Sequence, residues 1–192
     1  MKKTSGAIDL ALIAVFAAFV AACAMISIPM PFGVPITLQT LGVLLTGLVL
    51  GPWRGFLSVV LYLLVGFAGL PVFAGGTGGL GVLSGMSVGY LLAFPFASLA
   101  AGALAIWFVR AGFKVRYAWL TVAAAVGSFA VIDLAGIFGM MVVGQTDFVT
   151  AFGYNLPFVL GDAVKVFAAS AIAVAVNKAF PVLLAARKPA AA

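Results

Sequence analysis

The sequence contains no histidine, and Cys23 is the one cysteine among its 192 residues. Without histidine there is no histidine general base, no Ser-His-Asp triad and no histidine ligand for a metal. A lone cysteine forms neither an internal disulfide nor a thiolate metal site, and within an apolar run it is expected to be a small buried residue. We therefore expect no bound metal and no cofactor.

Charged residues are scarce as well, at 7% of the chain, whereas soluble domains contain roughly 25%. Hydrophobic residues make up 66%. This composition predicts an all-α integral membrane protein. Because a membrane-spanning helix needs about 20 apolar residues, the length accommodates one bundle of roughly five to seven helices and no separate soluble domain.

Six transmembrane helices are predicted within a single domain that covers residues 1–192. They run from Ile8 to Ile28, Thr37 to Leu50, Gly55 to Leu70, Ser87 to Val109, Tyr117 to Gly144 and Leu156 to Leu184. The second is short for a full crossing. The first is interpreted as a membrane span rather than a secretory signal, because its apolar stretch is too long and no cleavage signature stands out.

Lysine and arginine lie on one side of these helices, apart from Lys165 inside the last one. The other nine are Lys2, Lys3, Arg54, Arg110, Lys114, Arg116, Lys178, Arg187 and Lys188. The opposite connections, 29–36, 71–86 and 145–155, contain neither residue type. By the positive-inside rule, both termini are cytoplasmic and the protein is expected in the inner plasma membrane. Topology and contact with anionic membrane lipid then explain the net charge of +6, so no nucleic-acid partner is expected.

Two of the outer connections are rich in proline or glycine and yet apolar. Residues 29–37 include three prolines, which forbid a helix, and residues 69–85 include seven glycines. Irregular backbone at membrane depth is tolerated where it is buried in protein or lines a cavity. We expect both segments to cover a pocket on the outer side. Ordinary tight turns are the alternative, but the length and apolar content of the segments count against it.

Asp133, Asp162 and Lys165 are the charged residues predicted within the membrane. A charge at the bilayer centre costs roughly 3 to more than 10 kcal/mol, so such residues usually face a cavity, a partner or a ligand. Asp162 and Lys165 share a helix face, about 9 and 14 Å from the predicted start at Leu156. They suit a ligand that carries N–H groups and a carboxylate. Alternatively, Asp133 and Lys165 form a buried ion pair that only joins two helices.

A stripe of alanines on the first helix is the next candidate for an interaction. Ala11, Ala14, Ala18 and Ala22 are spaced so that another helix or another protein could approach closely, although packing within the bundle is equally compatible. The glycines of 75–79 lack a following Gly-Lys-Ser/Thr, which argues against ATP binding. An intramembrane hydrolase that uses Asp133 and Asp162 is disfavoured, because Lys165 would disturb such a pair.

Three segments, 29–40, 69–76 and 160–165, closely resemble the BioY family, the biotin-specific substrate-binding components of energy-coupling factor (ECF) transporters. The resemblance extends in order over nearly the whole chain. One departure lies at 85–90, where the family commonly has Gly-Pro-Thr-Gly-Gly-Tyr and this chain has Gly-Met-Ser-Val-Gly-Tyr.

The resemblance implies a transport component without its own ATPase, rather than an enzyme, that captures biotin from outside with high affinity. Asp162 would accept the ureido N–H groups, and Lys165 would donate to the ureido oxygen or the carboxylate. The substrate-binding residues it implies are Asp162, Lys165, Thr37, Gln39, Val72, Phe73, Gly75, Gly76, Gly79 and Tyr90. The implied partners are a transmembrane coupling subunit, docked on the alanine stripe, and ATPase subunits, and a homo-oligomer is possible. A transport component for another small vitamin and a purely structural protein are the competing hypotheses.

Overall fold

Helices make up most of the chain, and the longest irregular segments are two of the connections between them. The computed structural model describes residues 6–113 and 117–184, without the side chain of residue 182. The helices are α1 (Gly6–Met25), α2 (Gln39–Leu50), α3 (Pro52–Phe67), α4 (Val88–Arg110), α5 (Tyr117–Val143), α6 (Phe148–Ala179) and α7 (Pro181–Leu184). The predicted all-helical architecture is confirmed.

Four of these helices, α1, α4, α5 and α6, are long and apolar enough to cross a membrane. The other two long segments, α2 and α3, are shorter apolar helices of 12 and 16 residues. Nearly every residue of α2 is buried, so this helix lies at the centre of the bundle. Within α5, residues Val126–Asp133 form a π-helical stretch.

Glycines allow the centre of the bundle to pack backbone against backbone. Gly51 has a positive φ of 78° between α2 and α3, and Pro52 then occupies the first turn of α3. A Cβ added at Gly102 of α4 would approach the carbonyl carbon of Gly51 to 2.6 Å, and one at Gly47 would overlap the Ser98 carbonyl. Such close approach is how helices associate in lipid without a hydrophobic driving force.

The predicted start of the last helix is wrong by eight residues. α6 begins at Phe148, and the Asp147 carboxylate caps it by accepting a hydrogen bond from the Thr150 N–H at 3.2 Å. Hydrogen bonds from Thr150 hold the pKa of Asp147 below its usual value. Pro157 lies inside the helix. The predicted connection 145–155 is therefore much shorter, and at 1.5 Å per residue Asp162 lies about 21 Å from the helix start, near mid-helix.

The other predicted boundaries need smaller corrections. α1 ends at Met25 rather than Ile28 because Ser27–Ile28 forms a short strand, β1. It pairs antiparallel with β2, Ile36–Thr37, so the proline-rich segment is a hairpin. α3 covers Pro52–Phe67 rather than residues 55–70, and the last predicted span breaks at Phe180 before α7.

Among the residues that the structure describes, one end of the bundle is basic and the other has no lysine or arginine. Arg54 lies in the first turn of α3 and forms an ion pair with Asp9 of α1 at 2.6 Å, while Arg110 and Lys178 lie in the last turns of α4 and α6. Six basic residues of the predicted cytoplasmic side lie outside the described residues: Lys2, Lys3, Lys114, Arg116, Arg187 and Lys188. At the opposite end, the β1–β2 hairpin and residues 69–85 close over the helices.

Candidate binding site

A cavity of about 380 Å³ lies beneath the hairpin and the glycine-rich segment, between α2, α4 and α6. Seven of the ten predicted substrate-binding residues line it: Thr37, Gln39, Phe73, Gly75, Tyr90, Asp162 and Lys165. Val72, Gly76 and Gly79 are not among its lining residues. Both irregular connections contribute walls, as Met30, Val34, Ala74 and Thr77 illustrate.

Asp162 and Lys165 form an ion pair in the wall of the cavity. The Lys165 ammonium lies 2.5 Å from Asp162 Oδ1, and the two side chains are 8% and 2% exposed. Thr40 of α2 lines the same cavity. One turn of α6 therefore presents an acceptor and a cation together. Because both are buried, where the local dielectric constant is low, their electrostatic interactions with a ligand are stronger than in water.

A second polar group, at the base of the hairpin, is held by a chain of hydrogen bonds. The Thr37 hydroxyl donates to Gln39 Oε1 at 2.9 Å, and Gln39 Nε2 donates to the Tyr62 hydroxyl at 2.6 Å. All three residues are buried. A glutamine amide has two N–H donors, so one remains to hydrogen-bond a ligand in the cavity.

Tyr90 brings a third polar group to the cavity from α4. Its hydroxyl donates to Asn155 Oδ1 of α6 at 2.6 Å. Its ring lies against Gly136 of α5, where an added Cβ would collide with it, and 5.6 Å from the Phe158 ring. Contacts from two other helices, α5 and α6, therefore fix the Tyr90 side chain.

Aromatic rings attach both irregular connections to the bundle. Phe32 of the hairpin stacks on Tyr154 of α6, with ring centroids 5.0 Å apart. Phe73 of the glycine-rich segment is buried against Tyr62 and over Gly66, where an added Cβ would collide with its ring. Phe73, Phe94 and Phe158 contribute apolar surface to the cavity alongside its polar groups, a combination that is usual for small-molecule sites.

Asp133 does not pair with Lys165, so that alternative is not what the structure shows. It ends the π-helical stretch of α5 and is buried, and its two carboxylate oxygens have no hydrogen-bond partner among residues 6–113 and 117–184. Lys165 pairs with Asp162 instead. Asp133 is not a lining residue of the cavity.

The alanine stripe of α1 faces outwards. Ala11, Ala14, Ala18 and Ala22 are all exposed, whereas Ala17, Val20, Cys23 and Ala24 form the buried face of the helix. In the part of the chain that the structure describes, the stripe therefore does not pack within the bundle. Cys23 is buried as predicted.

Several lining residues were not predicted from the sequence. Thr40 and Phe158 line the cavity, and Asn155 holds Tyr90 from behind. Asn155 and Phe158 lie seven and four residues before Asp162, so they share its helix face, a periodicity that a correct helix start would have revealed. Within the departing segment 85–90, Ser87 lines the cavity. Among the described residues there is no group of three or more potential metal ligands.

Comparison with known proteins identifies the family of this chain. Residues 1–182 match the sequence profile of the BioY family. The chain belongs to the BioY family. The Rhizobium etli biotin transporter BioY is 35% identical over 180 residues, which cover 91% of this chain and 96% of that protein. The Rhodobacter capsulatus biotin transporter BioY is 35% identical over 189 residues, covering 93% and 98%.

A solved structure shows the same likeness in three dimensions. The crystal structure of the S-component for biotin from an ECF-type ABC transporter superposes with a TM-score of 0.85 at 27% sequence identity. The match covers 93% of this chain and 95% of that one. The BioY resemblance seen in three sequence segments is thereby confirmed over the whole bundle.

Proposed function

We propose that this BioY-family protein captures biotin from outside the cell and is the substrate-binding component of an ECF-type vitamin transporter. One observation carries the proposal: the buried Asp162–Lys165 pair lines a mostly apolar cavity beneath the hairpin and residues 69–85. A charged pair buried at mid-helix is costly, and a ligand that uses both charges accounts for it.

The polar groups of the cavity match those of biotin. Biotin has a cyclic urea, with two N–H donors and one carbonyl acceptor, and a carboxylate at the end of an alkyl chain. Asp162 and the Tyr90 oxygen are acceptors for the urea, while Gln39 and Lys165 are donors for its carbonyl or for the carboxylate. Phe73, which lines the cavity, provides apolar surface for the ring sulfur and the alkyl chain. No cofactor and no chemical step are part of this function.

We propose that α1 to α6 all cross the inner plasma membrane and that both termini are cytoplasmic. Arg54, Arg110 and Lys178 then lie at the cytoplasmic end, as the positive-inside rule requires. α2 and α3 are short, but the glycine turn between them and the irregular segments at the outer end let them share the bundle with longer helices. The cavity then opens to the outside, where the vitamin arrives.

We propose that energy for uptake comes from a transmembrane coupling subunit and ATPase subunits. The exposed alanine stripe of α1 supports this docking, since small residues let another helix approach closely in lipid. Membrane lipid covers the remaining apolar surface. A homo-oligomer that forms through the alanine stripe of α1 is compatible with its exposure.

Competition binding tests the vitamin specificity. Detergent-purified protein is loaded with radiolabelled biotin and challenged with unlabelled biotin, thiamine or riboflavin. We expect displacement by unlabelled biotin alone. If riboflavin or thiamine displaces the label as well as biotin does, or if no biotin is bound, the proposed substrate is wrong.

A further inference from the structure

Asn155 is a buried amide that the binding site described above uses only indirectly. It is 2% exposed and lies on the face of α6 that also carries Asp162, seven residues further on. The Tyr90 hydroxyl donates to its Oδ1 at 2.6 Å, which joins α4 to α6. Asn155 itself is not a lining residue of the cavity, whereas Tyr90 is.

This hydrogen bond limits what Tyr90 can offer to a ligand. A tyrosine hydroxyl has one hydrogen to donate, and its oxygen can accept. Asn155 takes the hydrogen, so the face of the hydroxyl that meets the cavity is an acceptor. The ring itself has little freedom to move, because it packs against Gly136 of α5 and the Phe158 ring of α6.

We propose that Asn155 is a positioning residue that makes Tyr90 an acceptor-only group and so selects ligands that present an N–H donor to it. The inference rests on the proposed function, in which the cyclic urea of biotin supplies that donor. Asp162 is a second acceptor in the same cavity, so two acceptors are available for the two N–H groups of a urea. A ligand with an oxygen at one of these positions would place lone pair against lone pair, which buried polar sites reject strongly.

The test compares biotin with its two cyclic carbamate analogues, in each of which a ring oxygen replaces one ureido N–H. Affinities are measured by isothermal titration. For at least one isomer, we expect the wild-type protein to prefer biotin by about 10- to 100-fold. In Asn155→Leu the Tyr90 hydroxyl is released and can donate to the ring oxygen, so this preference should fall to within about threefold.

Two further variants separate this role from a general effect on packing. In a Tyr90→Phe background, Asn155→Leu should leave the ratio of the two affinities unchanged, because the hydroxyl it controls is gone. Asn177→Leu is the matched control. Asn177 is also a buried asparagine of α6, but its amide donates to the Leu48 carbonyl at 3.1 Å, away from the cavity. We expect this variant to keep the wild-type preference.

Each outcome decides between the inference and its failure. If Asn155→Leu does not fold, Asn155→Ala replaces it, with folding checked by a monodisperse elution profile. Biotin binding with an unchanged preference in the folded variant would overturn the inference and leave the proposed function intact. The inference would also be overturned if Asn155→Leu still changed the preference for biotin in the Tyr90→Phe background. Failure of the wild-type protein to bind biotin would instead reject the proposed function, and the inference with it.

Discussion

Replacing one or both members of the Asp162–Lys165 pair separates its contribution to stability from its contribution to binding. In Lys165→Met, the Asp162 carboxylate stays buried without its counter-charge, and removing one partner of such a pair costs about 3–5 kcal/mol of stability. The double variant Asp162→Asn/Lys165→Met has no uncompensated charge and similar volume. Its stability should therefore return to within about 1 kcal/mol of the wild-type value.

Binding should behave differently from stability in these variants. Hydrogen bonds to charged groups contribute about 1.5–3 kcal/mol each, so either single substitution should weaken biotin binding about 10- to 150-fold. The double variant should bind no better than the weaker single variant, since both ligand contacts are absent. Lys178→Met is the matched control, because Lys178 is an exposed lysine of the same helix at the basic end.

The chain has a built-in probe for the stability measurement. Cys23 is its one cysteine and is buried, so a thiol-reactive fluorophore reports unfolding as a rise in emission on heating. Affinity is measured by titration calorimetry on the same preparations. If the double variant regains both the melting temperature and the biotin affinity of the wild-type protein, the pair only joins turns of the helix and the binding argument is refuted.

Three further substitutions, one of them with a matched control, have expected outcomes. Ala18→Trp should leave biotin affinity unchanged but abolish copurification of the coupling and ATPase subunits, whereas the control Val142→Trp, at another exposed position, should affect neither. Copurification of these subunits with Ala18→Trp would argue against docking on α1. Gly66→Leu should displace the Phe73 ring, which lines the cavity, and so weaken biotin binding at least about tenfold in a titration. Wild-type affinity in this variant would contradict the anchoring role of Phe73. Asp133→Asn removes a buried carboxyl that lacks a described partner, so the melting temperature should stay equal or rise. A loss of about 3 kcal/mol in the free energy of unfolding would indicate that Asp133 forms an ion pair.

The helical architecture was predictable because apolar stretches and turn residues carry a strong local signal. The position of the charged pair within its helix was not. The predicted helix began at Leu156, directly before Pro157, whereas in the structure Asp147 caps the start of α6 and the proline lies inside the helix. Because the predicted start was eight residues too late, the prediction placed Asp162 in the outer third of the helix instead of near its middle.

For the proposed binding residues, too, the sequence revealed local features but not contacts between distant segments. Asp162 and Lys165 stand out because charge is rare in the membrane, and their spacing already places them together. The choice of partner for Lys165 depends on how α5 and α6 pack, so the sequence left Asp133 and Asp162 as alternatives. Asn155 gave no signal of its own, since its role arises from a contact with Tyr90, 65 residues away.

The structure of the biotin-bound protein would test the central claim most directly. The account predicts the urea ring in the cavity between α2, α4 and α6, within hydrogen-bonding distance of Asp162 and the Tyr90 oxygen, with Lys165 bound to the ligand. Biotin found outside this cavity, or inside it without a polar contact to Asp162 or Lys165, would contradict the account.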